Sequence, residues 1–474
     1  MACRESCRSC GRDAERLEKF YFNEAVNLIA RKLCRYSFAI LWVATVAACA
    51  SAQSRPPVVL IPGLTGSELV NSKTGEKVWF KIRRAHGDDV RLPISTNIAA
   101  NKDSLVPGDV IRDVKAGILP RVDVYGGFLA SFVAKGYREG RLDAPPARGY
   151  ENTIYVFPYD WRLDIVENSR KLIRQLESVK RKLRRPNLKF DLVGHSMGGL
   201  LARYAAMYGD ADLPATATAA PNWAGSKDIA KLIVLGTPNE GSPLSLRDMV
   251  NGFALVGIEI NLPFVQSLSK FDVFTIPAAY ELLPAPGTLR AFDQDLKPMD
   301  VDLYDPATWS KYGWDVTEDK GFEKEFSAAE QSSAKAFFKL MLERARRLHA
   351  ALDIPIKNPT VPTYMIGAEC KDTLDAVVLY QKKDGKWDAV FKADSFETPS
   401  GGKITSEELK AKIYVQGDGV VTKRSFSAAT VSSAAGVESI FSPASTTYIC
   451  EGHSKLPSNA EVQTKVFSIL SAAK

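Results

Sequence analysis

Residues 190–204 read Phe190-Asp191-Leu192-Val193-Gly194-His195-Ser196-Met197-Gly198-Gly199-Leu200-Leu201-Ala202-Arg203-Tyr204. An apolar strand pattern runs directly into G-x-S-x-G and on into a helix pattern, which is the context a nucleophile elbow requires. The turn is so tight that strand and helix nearly touch, and Gly194 and Gly198 remove the side chains that would collide. Ser196 then projects toward the helix amino terminus, whose partial positive charge favours a developing oxyanion. In a chain with 32 glycines the bare motif arises by chance in about one sequence in five. The strand-to-helix context is what gives it weight.

A serine hydroxyl needs a base to take its proton, and the chain holds four histidines. His195 adjoins Ser196, where neighbours on a tight turn point apart, so it is expected to pack behind the elbow. His349 lies on the apolar stripe of a helix, and His86 in a polar loop. His453, just after the last strand-like run, is the candidate base. The orienting acid should lie between Ser196 and His453 in chain order. Asp418 fits, in the turn Gly417-Asp418-Gly419 that leaves KIYVQ (412–416), read as a strand; Asp372 and Asp375 are the alternatives. For the oxyanion hole, the N–H of Met197 and that of Leu64, in the Pro62-Gly63 turn after the first strand, are the expected donors.

Around this centre, apolar β-branched runs alternate with helical patterns: VVLIP at 58–62, TIYVFP at 153–158, KLIVLG at 231–236, PTYMIG at 362–367 and TTYIC at 446–450. Such runs suit a parallel sheet covered on both faces. The helix 165–184 carries Ile165, Leu172, Ile173, Leu176, Val179 and Leu183 on one stripe. The fold class is therefore α/β, a mostly parallel sheet with helices on both faces. The rhythm breaks over 241–358, which ends in a long helix opened by the capping box Ser327 to Glu330 and reads as an inserted cap or lid. The division expected is a leader (1–52), a first core part (53–240), the cap (241–358) and a second core part (359–474). The cap's Phe253, Phe264, Phe271, Phe274, Trp309, Tyr312 and Trp314 suit an acyl chain, or form the cap's own core.

Composition narrows the class. The chain has 474 residues, 45% hydrophobic and 25% charged, values that argue against a disordered or collagenous protein. No apolar run reaches the 18 or more residues of a membrane span. The formal charge is +7, of which +3 (eight Arg/Lys against five Asp/Glu) lies in the first 48 residues. The remaining basic clusters, Lys180–Arg185 and Lys81–Arg84, lack interleaved aromatics. No nucleic-acid partner is expected, and attraction to anionic lipid at a membrane surface is compatible with the charge.

FAILWVATVAACA at 38–50, preceded by Arg31, Lys32 and Arg35, has the length of a signal-peptide core. A cleaved signal peptide and a lipobox with lipid on Cys49 are the leading readings, and both make the protein exported: periplasmic, lipid-anchored or secreted; a retained signal anchor stands behind them. Cys3, Cys7, Cys10 and Cys34 have metal-like spacing with nothing else to support it, so no metal or other cofactor is expected. Cys370 and Cys450 remain for the mature chain. A bond between them would close a loop of about 80 residues and stabilise by about 4–5 kcal/mol; separate buried thiols are slightly favoured.

Several segments together resemble the lecithin:cholesterol acyltransferase family, which includes lysosomal phospholipases, phospholipid:diacylglycerol acyltransferases and bacterial-type members. They are VVLIPGLTGSEL at 58–69, FPYDWRLD at 157–164, GHSMGGL at 194–200, LGTPNEGSP at 235–243, YELLP at 280–284, GDGVVTKRS at 417–425 and the late His453. The resemblance implies an α/β-hydrolase core with a cap, the triad Ser196, Asp418 and His453, and an oxyanion loop after Gly63. It departs from the mammalian plasma enzyme in having no Cys between Cys49 and Cys370, so that enzyme's disulfide-bounded lid has no counterpart. The function expected is serine-dependent acyl transfer from a lipid ester to an alcohol or water. A small-ester or peptide serine hydrolase is the alternative within catalysis, and a non-catalytic exported binding protein the alternative outside it.

Overall fold

Seven short strands form one parallel sheet: β1 (Val58–Ile61), β2 (Arg138–Arg141), β3 (Thr153–Val156), β4 (Phe190–His195), β5 (Ile229–Leu235), β6 (Thr363–Gly367) and β7 (Ser445–Tyr448), in the spatial order β7-β6-β5-β4-β1-β3-β2. Every neighbouring pair is parallel. The computed structural model describes residues 56–81, 90–115, 121–216, 220–253, 267–398 and 401–472. The signal-like run at 38–50, Cys49, the amino-terminal cysteines, His86 and Phe264 lie outside them. No helix among the described residues is long and apolar enough to cross a membrane.

The continuous apolar runs reflect burial on both faces. All four residues of β1 are buried, and side-chain alternation divides them. Val58 and Leu60 join Phe128, Leu129, Val462 and Val466 under the helices Gly126–Ala134 and Ala460–Ser471. Val59 and Ile61 join Leu172, Leu192 and Leu200 under Ile165–Leu183 and Met197–Tyr208. The expected stripe holds: Ile165, Leu172, Ile173, Leu176 and Val179 are all buried, and Asp164 caps the helix by accepting from the Glu167 N–H. Each such side chain contributes about 1.5–3 kcal/mol. This sheet with helices on both faces is an α/β-hydrolase fold.

Two readings need correction. KIYVQ, read whole as a strand, is one only from Tyr414, and that strand lies outside the main sheet. Lys412 and Ile413 end the helix Ser406–Ile413, and Tyr414–Gly417 pairs antiparallel with Lys371–Leu374 in a separate two-stranded ribbon. Its half-exposed pattern, unlike the full burial of β1 or β5, explains why it cannot be a central strand. The thiols of Cys370 and Cys450 are not separate either; they form a disulfide with Cα atoms 5.3 Å apart. Both follow neighbouring strand ends, Cys370 after β6 and Cys450 after β7, and the parallel pairing of these strands brings the two together.

Residues 241–358 supply the helices Pro243–Asn251, Lys270–Phe274, Pro277–Glu281, Pro306–Tyr312 and Ala328–Leu352, the last with the expected capping box at Ser327 and Glu330. Arg290–Phe292 from this segment pairs with Ala376–Gln381, beyond β6, in a four-stranded sheet. The excursion between β6 and β7 therefore shares a layer with the cap.

His349 sits inside this layer, and burial lowers its pKa to about 4. A depressed folded-state pKa means stability that is present above the ordinary value of about 6.5 and lost as pH falls toward the folded value. Asp353, pushed up to about 8 by burial, acts the opposite way: its contribution is complete below the ordinary carboxyl value and lost as pH rises through the folded one. Subtraction isolates the histidine. Between pH 7 and pH 5 the stability of the wild type relative to His349→Asn is expected to fall by about 2 kcal/mol in urea unfolding. A constant difference would contradict the neutral, buried imidazole.

Candidate active site

The carboxyl ends of β1, β4 and β5 meet at one edge of the sheet, and the candidate residues gather there. Ser196 occupies the turn between β4 and the helix Met197–Tyr208 with φ 54 and ψ −127, a strained conformation for a residue with a side chain. The surroundings hold it. Its N–H donates to the Leu235 carbonyl at 2.8 Å, and the elbow glycines let the backbones touch. A Cβ on Gly194 would lie 2.7 Å from the Gly198 carbonyl oxygen, and one on Gly198 would strike the carbonyls of Ile61 and Pro62.

His453 begins a short 3-10 turn five residues after β7. Its Nε2 lies 2.9 Å from Ser196 Oγ, and its Nδ1 lies 2.7 Å from Asp418 Oδ2. A carboxylate only accepts, so Nδ1 carries the proton and the Nε2 lone pair faces the serine hydroxyl. Asp418 Oδ1 accepts from the N–H groups of Val420 and Val421 at 2.9 and 2.7 Å, which fixes the carboxylate plane. The His453 N–H donates to the Asp418 carbonyl at 2.9 Å. Gly236, after β5, has φ 54, and a Cβ there would crowd Asp418 Oδ2 at 3.0 Å and His453 Nδ1 at 3.2 Å.

The structure thus brings Ser196, His453 and Asp418 together and leaves the alternatives elsewhere. Asp375 is buried against Arg290 and Arg424, and Asp372 pairs with Lys410 on the surface. Leu64 lines the pocket beside Ser196. Met197 opens its helix, so its N–H has no carbonyl one turn back to receive it.

The Leu64 loop is held from several sides. Tyr159 Oη donates to the Pro62 carbonyl at 2.8 Å, Trp79 Nε1 donates to the Thr65 carbonyl at 3.1 Å, and the Gly63 N–H donates to Tyr125 Oη at 2.8 Å. The Asp160-Trp161-Arg162 segment is scaffold. Arg162 is fully buried, bidentate to Asp103 at 2.7 and 2.9 Å, and bonded to Asp160. His195 packs beneath the elbow, with Nδ1 2.8 Å from Tyr125 Oη and Nε2 3.0 Å from the His453 carbonyl.

An apolar pocket opens over Ser196 and His453, lined by Leu64, Trp79, Phe80, Val114, Val122, Val124, Leu244, Phe253, Leu282 and Val420. It also holds the buried Asp248, pushed up to about 6 by burial despite its pairing with Arg247. Of the cap aromatics named from the sequence, only Phe253 among the described residues lines it. Phe274, Trp309, Tyr312 and Trp314 are the cap's own core, and Phe271 packs on Phe326. The pocket's other aromatics, Trp79, Phe80 and Tyr125, come from between β1 and the helix Gly126–Ala134. The apolar run Val78-Trp79-Phe80 is the sequence feature that marks the first two. Among the described residues no cluster of His, Cys, Asp and Glu could hold a metal ion.

A family model for lecithin:cholesterol acyltransferase matches residues 142–313. No curated protein sequence matches the chain. Among solved structures, a chain of the Tle4–Tli4 complex is 15% identical, with 88% of this chain and 99% of that chain covered at a TM-score of 0.50. Bacillus licheniformis lipase BlEst2 in its mature form is 12% identical, with 89% and 94% covered at a TM-score of 0.35. Phospholipase PlaB from Legionella pneumophila is 12% identical, with 70% and 50% covered at 0.26. The first of these is a likeness of fold alone. Over residues 142–313 this α/β-hydrolase chain matches the lecithin:cholesterol acyltransferase family.

Proposed function

We propose that the protein transfers acyl groups from lipid esters through a serine acyl-enzyme intermediate. Ser196 Oγ attacks the ester carbonyl as His453 Nε2 takes its proton, and Asp418 stabilises the imidazolium that forms. The N–H groups of Leu64 and Met197 receive the oxyanion, and each such donor is worth about 3 kcal/mol to the transition state. His453 then gives the proton to the departing alcohol. Water or a second alcohol, deprotonated in turn by His453, attacks the acyl-enzyme and frees Ser196.

What carries the reading is the pair of hydrogen bonds at the pocket floor, 2.9 Å from Ser196 to His453 and 2.7 Å from His453 to Asp418. The apolar pocket above them and the family match support a lipid ester as the donor. An exported location belongs to the proposal. The Cys370–Cys450 disulfide supports it, since such bonds persist in oxidising compartments.

Incubating the enzyme with a phospholipid and a long-chain alcohol, and separating the products, tests the donor class. Free fatty acid marks hydrolysis and an acyl-alcohol marks transfer, and either one is expected in multiple turnovers. Cleavage of short esters or peptides with untouched phospholipid would contradict a lipid donor.

A further inference from the structure

Tyr125 and His195 are buried beside the site, and the proposed mechanism uses neither. We propose that they form a hydrogen-bonded bridge between its two halves, setting the Gly63–Leu64 loop against the His453 loop, and that both are positioning residues for acyl transfer. This rests on the reading of Ser196, His453 and Asp418 as an acyl-transfer triad.

The direction of every hydrogen bond in the bridge follows from the partners at its ends. The Gly63 N–H can only donate, so Tyr125 Oη accepts from it at 2.8 Å. The His453 carbonyl can only accept, so His195 Nε2, 3.0 Å away, carries a proton. In a neutral imidazole Nδ1 is then a lone pair, and Tyr125 Oη, 2.8 Å from it, donates its hydrogen there. The sequence is Gly63 N–H to Tyr125 Oη, Tyr125 O–H to His195 Nδ1, and His195 Nε2–H to the His453 carbonyl. Each end is a backbone group of a loop that carries a reacting group.

Neutrality of His195 has a use. Its ring centroid lies 5.0 Å from that of His453. A proton on His195 would set a like charge beside the imidazolium that forms there during attack. Burial keeps the proton off, with the pKa lowered to about 3, and the Tyr125 hydroxyl occupies the one nitrogen that could take it. The bridge also explains why Tyr125 is fully enclosed although its hydroxyl is polar: both of its hydrogen-bonding roles are filled. Displacing a reacting group by about 1 Å can cost a hundredfold in rate, so two loops that must hold their spacing gain from a direct tie.

The test uses the full chain with a soluble chromogenic ester, measuring kcat and KM for Tyr125→Phe, His195→Phe and the double variant. Each single change is expected to lower kcat by about tenfold to a hundredfold with KM nearly constant, and the double should cost no more than the worse single, because one break already opens the bridge. His195→Gln, whose amide can still donate to the His453 carbonyl, should recover part of the loss. A single variant that keeps more than half the wild-type kcat, or a double whose loss is the product of the singles, overturns the bridge. Nitrogen-15 imidazole spectra of the unaltered protein give a second readout that needs no variant to fold: His195 is expected as the Nε2–H tautomer, and an Nδ1–H tautomer overturns the assignment. If the wild type neither turns over the ester nor reacts at Ser196, the triad reading falls and the bridge's role with it. An active wild type matched by an equally active Tyr125→Phe overturns the bridge alone.

Discussion

Ser196→Ala is expected to lower kcat for ester turnover by about 10⁶-fold, the scale on which loss of a serine nucleophile acts when its base and oxyanion donors remain. The hydroxyl's one hydrogen bond among the described side chains is to His453, so its removal leaves the elbow's packing unchanged. The backbone of the elbow is held by the Ser196 N–H to the Leu235 carbonyl and by the contacts at Gly194 and Gly198, none of which involves Oγ. Thermal unfolding of the variant should therefore match the wild type. A variant that keeps a tenth or more of the activity would show that the nucleophile lies elsewhere. An inactive wild type that still binds lipid esters would favour the non-catalytic reading.

Asp418→Asn should cost about 10⁴-fold in kcat with little change in fold. The reason lies in the far side of the carboxylate. Oδ1 accepts from the N–H groups of Val420 and Val421, and an asparagine must keep its carbonyl oxygen on those donors. Its NH₂ then points at His453 Nδ1, where the carboxylate oxygen now sits at 2.7 Å. Two donors cannot share a hydrogen bond, so the imidazole turns to the Nε2–H tautomer, and that nitrogen can no longer take the Ser196 proton. Steady-state kinetics on a soluble ester measure the loss. Asn activity within tenfold of wild type would mean that Asp418 does not set the tautomer.

The central strands were legible because burial on both faces leaves an uninterrupted apolar run, as in β1 and β5. The elbow was legible because its glycines answer to backbone contacts within one short segment. His453 emerged because only four histidines compete. Asp418 was picked out on a premise that was partly wrong: the strand before it belongs to a peripheral ribbon, and the residue reaches the site through the excursion between β6 and β7.

What stayed hidden depends on contacts between distant segments. β2, Arg-Glu-Gly-Arg at the sheet edge, has no apolar pattern because three of its residues are exposed and Gly140 is only half-buried. Tyr125 meets His195 across 70 residues, and nothing local marks either as a partner. The Cys370–Cys450 pairing depends on β6 and β7 lying side by side, which spacing alone does not fix. The cap aromatics, open in the sequence between an acyl pocket and the cap's own core, mostly fill the cap, because a helical layer of this size needs large side chains for its own core.

The most direct test is covalent labelling with a fluorophosphonate followed by peptide mass spectrometry. A single adduct on Ser196, formed rapidly by the wild type and all but lost in His453→Ala, is the predicted result. No adduct on Ser196, or one that forms equally fast without His453, would contradict the account.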